Sequence, residues 1–269
     1  MEPGSFARAT GVRVLALGSV DSTNDEARRL IGEGDRGPLW IVADRQTGGR
    51  GRLGRSWVSP PGNLYASLII SDFHNLADAP QLGFVAGVAA IQALRVCAGD
   101  GHFALKWPND LLLDGAKLGG ILLETVNAPT GDLRAPVAPV AIIGIGVNCA
   151  SAPSDLPYRA EALASLGAAA PSRAAFFAAL SDALAETLAL WRSPGGFARV
   201  RELWLRDAAG LGAQIGVRLM QGEIAGVFQT IDATGRLVLL TPTGARAIEA
   251  GDVEIGPRAL EKDLTHDRA

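Results

Sequence analysis

The chain has 269 residues, 48% of them hydrophobic and 20% charged, with a formal net charge of -3. That is enough for one large domain plus a small one, and the acid excess argues against a duplex-DNA binder, which needs a basic stripe to neutralise phosphates. The two cysteines form no CxxC pair, the three histidines (His74, His102, His266) are scattered, and Met1–Gly11 lacks the basic start and apolar core of a signal peptide, so no disulfide framework is implied, no histidine metal cluster is legible and a reducing cytoplasm is expected.

Val12–Leu17 alternates weakly and reads as a first strand. Ser22-Thr23-Asn24-Asp25-Glu26 then opens a helix to about Ile31, because a capping residue is followed by acids at the positive helix end. Leu39–Asp44 is a short apolar strand running into Gln46–Arg55, which has no apolar periodicity and reads as a loop. Leu64–Ile70 predicts a strand and Gln81–Cys97 a helix. The longest apolar stretch, Leu82–Ala98, is broken by Gln92 and Arg95, too short and too polar for a membrane span, so a buried helix is expected.

Phe103–Lys106 reads as a strand and Pro108–Asp110 as a turn, while Leu111–Leu113 and Leu118–Thr125 form a hairpin about Asp114-Gly115. Asn127–Pro139, with three prolines, reads as a connecting loop before the β-branched strand Val140–Val147. Pro171–Trp191 and Phe197–Leu205 predict helices. Beyond Gly212 come five short strands, Gln214–Met220, Glu223–Ile231, Arg236–Leu240, Ala245–Glu249 and Val253–Ile255, which suggest a small barrel. The boundary is therefore expected near Ala209–Gly212, giving domains at 1–210 and 211–269. Hairpins mixed with helices, without regular strand–helix alternation, favour an α+β fold with a mixed sheet flanked by helices.

Four segments carry candidate chemistry. Gly48–Arg55 holds four glycines and three arginines, with Arg45 close by, so the backbone can approach an anion while guanidinium groups supply charge. It is neither a P-loop nor a dinucleotide fingerprint, and a solvated basic loop or nucleic-acid patch is the plainer alternative. Lysine occurs only at 106, 117 and 262. Two of these lie in Lys106-Trp107-Pro108-Asn109-Asp110 and Lys117-Leu118-Gly119-Gly120-Ile121-Leu122, a hint that these positions need a compact ammonium. The plainer reading makes them exposed strand ends beside an ordinary turn. Ser22-Thr23-Asn24 offers three hydrogen-bonding side chains suited to a ureido ring, although helix capping alone also accounts for them. Gly144–Asn148 ends a buried strand in an amide or merely turns. Cys97 and Cys149 read as small buried hydrophobes.

In this order the Ser-Thr-Asn, Gln46 with Gly49–Trp57, Lys106–Asp110, Lys117–Leu122 and Gly144–Asn148 resemble the signatures of the biotin–protein ligase family. The resemblance is strong from Ser22 to Asn148 and lies only in general plan beyond. It implies a class II synthetase-like catalytic domain followed by a Src-homology-3-like barrel. It also implies activation of biotin by ATP, with Mg2+, to biotinyl-5'-AMP, then transfer to a lysine of the biotin carboxyl carrier domain of a carboxylase. Ser22, Thr23, Asn24 and Gln46 would bind biotin. Arg50, Gly51 and Arg52 would belong to a lid over the acyl-adenylate. Lys117 would touch the biotin carboxylate and the α-phosphate, with Arg52 as the second catalytic cation. Lys106, Asn109, Asp110 and Asn148 would face the nucleotide with Arg50, Arg52 and Trp57, and Asp110 is the one candidate for magnesium. Fewer residues precede Ser22 than the winged-helix DNA-binding domain of some members needs, so a monofunctional, cytoplasmic enzyme, monomeric or homodimeric and without DNA or membrane partners, is expected. A lipoate–protein ligase and a non-catalytic biotin sensor remain the alternatives.

Overall fold

Apolar runs punctuated by glycine and proline pair into a single mixed sheet of seven strands, ordered β1-β2-β3-β7-β6-β5-β4. These are β1 (Arg13–Val20), β2 (Leu39–Gln46), β3 (Leu64–Ile70), β4 (Phe103–Lys106), β5 (Asp110–Leu113), β6 (Ala116–Pro129) and β7 (Val137–Val147). The computed structural model describes residues 1–71, 73, 75–99, 102–129 and 137–255, so His74 and His266 lie outside the described residues. β1 and β2 are parallel and every other pairing in this sheet is antiparallel, which is the mixed α+β plan expected from the hairpins.

Both faces of the sheet are covered, which is why β3 is buried along its whole length and shows no alternation. Helix α2 (Thr23–Gly32) presses Ala27 and Ile31 onto Leu39, Ile41, Ile69, Val140 and Ile142. On the other face α3 (Gln81–Ala98), α4 (Arg173–Arg192) and α5 (Gly196–Arg206) bury Leu82, Phe84, Ile91, Phe176, Phe177, Leu184 and Trp204 in the main core. A short first helix, α1 (Ser5–Ala9), carries no sequence signal. It is held from outside, by Gly4 N–H donating to Ser181 Oγ and Ala7 N–H to Asp182 Oδ1, both 2.7 Å.

Two expectations are corrected. The proline-rich Asn127–Pro139 is not all loop, because the β6–β7 ladder continues through Asn127↔Pro139 and Ala128↔Ala138 to Pro129↔Val137; residues 130–136 lie outside the described residues. Burial of Ala128 and Val140 against α2 outweighs the poor strand propensity of proline there. Leu82–Ala98 is also not too short or too polar for a span, since α3, like α4, is long and apolar enough by length and composition to cross a membrane, while the buried helix expected there is what forms. Both helices pack in the core instead, with Gln92 accepting from Thr187 Oγ1 (3.3 Å) and Arg95 reaching Asp207 (2.6 Å).

After α5 come β8 (Gln214–Leu219), β9 (Gly222–Ile231), β10 (Leu237–Thr241), β11 (Gly244–Ile248) and β12 (Asp252–Ile255), an antiparallel sheet ordered β11-β10-β9-β8-β12. This second sheet is stitched to the first. Leu105 N–H donates to Asp207 O and Ala209 N–H to Leu105 O, both 2.8 Å, and Trp107 Nε1 donates to Gly235 O at 3.1 Å. Ile215, Val217, Phe228 and Leu239 join the main core, so the small sheet is held by packing as well.

Candidate active site

At one end of the cleft the start of α2 meets the ends of β2 and β3. Ser22 caps the helix, its Oγ accepting from Asp25 N–H at 3.4 Å. Thr23 turns both its N–H (2.8 Å) and its hydroxyl (3.1 Å) to Gln46 Oε1, and Gln46 Nε2 donates to Ser59 Oγ at 3.0 Å. Beneath them Ser67 Oγ lies 2.7 Å from Thr23 Oγ1 and 2.6 Å from Asn24 Oδ1, while Asn24 Nδ2 donates to Glu124 Oε2 at 2.8 Å. Of the expected quartet, Thr23, Asn24 and Gln46 are thus joined in one hydrogen-bonded cluster, fixed from below by Ser67 and Glu124, while Ser22 stands beside it as the helix cap. Those two residues carry no local sequence signal. Gly144 is required here, since a Cβ would fall 2.3 Å from Asn24 Oδ1.

The glycine–arginine loop crosses the cleft from this cluster. Gly49 is packed so closely that a Cβ would lie 2.6 Å from both Ser59 Oγ and the Trp57 carbonyl. Arg50 forms a two-pronged ion pair with Asp25 of α2, both contacts 2.5 Å. That bond holds the Asp25 carboxyl below its usual range. Gly51 N–H closes the loop on Arg55 O at 2.7 Å, and Leu53, at φ 57°, stands in the left-handed region with its side chain 74% exposed. Arg52 continues to the far side, where Nη1 reaches Asn109 Oδ1 (3.4 Å), Gly251 O (3.3 Å) and Asp252 Oδ1 (3.9 Å). Arg55 is ion-paired with Asp252 as well. Burial works to raise the Asp252 carboxyl, but the bond from Arg55 and the charges of Arg55, Arg52 and Lys106 outweigh it and hold it low. Asp252 sits some two hundred residues away in sequence, and nothing local marks it.

The hairpin supplies the cations. Asp110 opens β5 and is almost fully buried, with Lys117 Nζ 2.6 Å from Oδ1 and Lys106 Nζ 3.1 Å from Oδ2. Asn109 is locked by Nδ2 donating to Ile121 O (2.7 Å) and by Ile121 N–H donating to its carbonyl (2.9 Å). Asp114 (φ 49°) and Gly115 (φ 74°) make the tight turn that folds β5 onto β6 and brings Lys117 back beside Asp110. Four cations, Lys106, Lys117, Arg52 and Arg55, face two carboxylates, Asp110 and Asp252, which leaves a surplus of positive charge at a partly buried spot.

Beside that cluster a small cavity of about 30 Å3 is lined by Trp57, Lys117, Asn148, Leu156 and Tyr158 among others. The Trp57 indole lies over Gly146, where a Cβ would be 2.7 Å from Nε1, and that Nε1 is buried with no hydrogen-bond partner among the described residues. Asn148 is anchored by Nδ2 donating to Glu161 O at 3.1 Å. The structure therefore gathers Arg52, Trp57, Lys106, Asn109, Asp110, Lys117 and Asn148 at one end and the Ser22–Gln46 cluster at the other, with the loop between them. Among the described residues no group of three or more His, Cys, Asp or Glu side chains could hold a metal ion. Both cysteines are free thiols, and burial pushes Cys149 up to about 11, which suits a packed side chain and not a nucleophile.

Residues 18–148 match the biotin/lipoate A/B protein ligase family model, and residues 210–256 match that of the biotin protein ligase C-terminal domain. The chain is 39% identical to the biotin–[acetyl-CoA-carboxylase] ligase of Paracoccus denitrificans, over 89% of this chain and 99% of that protein. It is 34% identical to the bifunctional ligase/repressor BirA of Bacillus subtilis, over 94% of this chain and 77% of the other. Among solved structures it is similar to a biotin protein ligase from Aquifex aeolicus in complex with biotin and ATP, with a TM-score of 0.73, 29% identity, and coverage of 90% and 97% of the two chains.

Proposed function

The chain belongs to the biotin protein ligase family, and from that premise we propose that it activates biotin with ATP to biotinyl-5'-AMP and passes the biotin to a lysine of a carboxylase's carrier domain. The observation that carries the reading is the cation cluster of Lys117, Lys106 and Arg52 around Asp110, at the mouth of the cavity lined by Trp57 and Asn148. When a carboxylate attacks the α-phosphate of ATP two anions converge, and charge arranged beforehand in a partly dry site lowers that cost without reorganisation.

In this reading the Thr23–Gln46 cluster binds the fused-ring head of biotin and exchanges its internal hydrogen bonds for bonds to the ureido group. Lys117, on a flexible stem, leaves Asp110 to bridge the biotin carboxylate and the α-phosphate. Lys106, Asn109 and Asn148 line the nucleotide side with Trp57, whose unpartnered Nε1 offers a donor. Asp110 would hold the magnesium that accompanies the triphosphate, an ion that needs only one or two protein carboxylates and supplies charge neutralisation there. Arg52 trades its contacts with Gly251 and Asp252 for the ligand as the loop closes, while Arg50 keeps the loop fastened to α2; exclusion of water protects the mixed anhydride. Residues 1–210 form the catalytic unit and 211–269 an appended domain that furnishes Asp252. Two free thiols fit a cytoplasmic setting.

The test feeds α-labelled ATP with biotin or lipoate, then adds a biotin carrier domain. Biotin-dependent adenylate followed by labelled carrier is the expected result. Adenylate with lipoate alone would overturn the reading in favour of a lipoate ligase, and biotin binding without adenylate would leave a sensor.

A further inference from the structure

Tyr158 is absent from every motif, yet it stands over the central cation. Lys117 and the 159–161 segment exchange backbone hydrogen bonds, Lys117 N–H donating to Arg159 O and Glu161 N–H to Lys117 O, both 2.9 Å. This short parallel bridge, Lys117↔Ala160, fixes the otherwise irregular segment over β6. As a consequence Lys117 Nζ lies 5.6 Å from the centroid of Tyr158 and 5.7 Å from that of Trp57. Its third neighbour is Asp110 at 2.6 Å. A lysine stem has several rotamers of similar energy, and ring faces within about 6 Å attract an ammonium group.

We propose that Tyr158 is a positioning residue for Lys117, holding the ammonium between two aromatic faces so that it stays aimed at the reacting phosphate when Asp110 releases it. The inference rests on the ligase reading for its catalytic consequence, while the contact itself can be read without substrates. The geometry favours this role over nucleotide binding by the ring, since Tyr158 faces the ammonium and is 48% exposed at the cavity mouth. Trp57 supplies the inner face of the clamp and Tyr158 the outer one. A phenyl ring does the same work as a phenol, and an aliphatic side chain of similar size does not.

The experiment compares Tyr158→Phe and Tyr158→Leu in the full chain. In biotin-dependent pyrophosphate–ATP exchange, Tyr158→Leu is expected to lower kcat by about 2- to 30-fold, the range a cation–π contact supplies, with the KM for ATP within about twofold of wild type. Tyr158→Phe is expected to recover most of the rate. A Tyr158→Leu enzyme with wild-type kcat, or one changed only in its KM for ATP, overturns the proposal; the second outcome would make the ring a nucleotide contact.

A second readout needs no turnover. The chain has three lysines, so protein labelled with [ε-13C]lysine gives three methylene signals, and the one lost in Lys117→Arg identifies Lys117. Ring currents are expected to shift it upfield in the ligand-free wild type, and Tyr158→Leu to move it back toward the others. An unmoved signal overturns the contact. Wild-type protein that shows no biotin-dependent exchange at all refutes the ligase reading, and the lysine spectrum still decides the contact.

Discussion

Replacing Lys117 by alanine tests the charge argument most directly. The ammonium sits 2.6 Å from Asp110 and is about one-fifth exposed, so its contacts form in a partly desolvated place. A charge-assisted hydrogen bond to the developing phosphate is worth about 1.5–3 kcal/mol, which corresponds to a loss of roughly 10- to 150-fold in kcat/KM for adenylation. The fold should tolerate the change. Asp110 keeps Lys106 at 3.1 Å, so no carboxylate is left unpaired, and a cost of about 1 kcal/mol would lower Tm by roughly 2–4 °C. Lys117→Arg should not restore the rate, because a planar fork cannot replace a point donor confined between Trp57 and Tyr158. The assay is biotin-dependent pyrophosphate exchange alongside a melting curve. A folded Lys117→Ala protein with near-normal exchange would refute the reasoning, since the positive charge would then not be needed where the structure puts it.

Further outcomes follow from the same geometry. Arg52→Gly should still form adenylate but release it early, and mass spectrometry should then find biotin on bystander lysines; labelling confined to the carrier domain would contradict the lid. Gly146→Ala should drive a methyl group into Trp57, where the gap to Nε1 is only 2.7 Å, costing about 1–3 kcal/mol of stability and weakening ATP binding in calorimetry; wild-type affinity would count against Trp57 as a wall of the nucleotide side. The Asp25–Arg50 pair makes stability depend on pH. Because Arg50 depresses the folded-state value of Asp25 below the unfolded value of about 3.9, the pair's contribution is intact above that pH and is lost as pH falls through the folded value. Asp25→Asn should therefore flatten the decline in Tm between roughly pH 5 and 3, and an unchanged slope would show that the pair contributes nothing there.

Much of this was legible from residue patterns. β3 and β4 coincide with the runs that predict them, and Asp114-Gly115 adopts the positive φ values that a tight hairpin demands. The scarcity of lysine pointed to positions 106 and 117, which the structure brings onto one carboxylate. What escaped notice depends on pairing at a distance. Ser67 and Glu124 matter only because β3 and β6 lie under α2, and Tyr158 only because the 159–161 segment bridges to Lys117. The Arg50–Asp25 pair is hidden for a similar reason: glycine and arginine in a loop announce an anion without saying that a neighbouring helix supplies one.

The seam between the two sheets has a mechanical corollary. With Leu105 laced to Asp207 and Ala209, and Trp107 tied to Gly235, the small sheet cannot swing like a door on a flexible tether. Asp252 is then a fixed mooring post, set in the same rigid frame as Lys106, and opening is left to the arginine strap alone. Removing β12 would cast off Arg55, leave Arg52 only its holds on Asn109 and Gly251, and lay bare the flank of β8, so those few residues would govern how long the strap stays fastened.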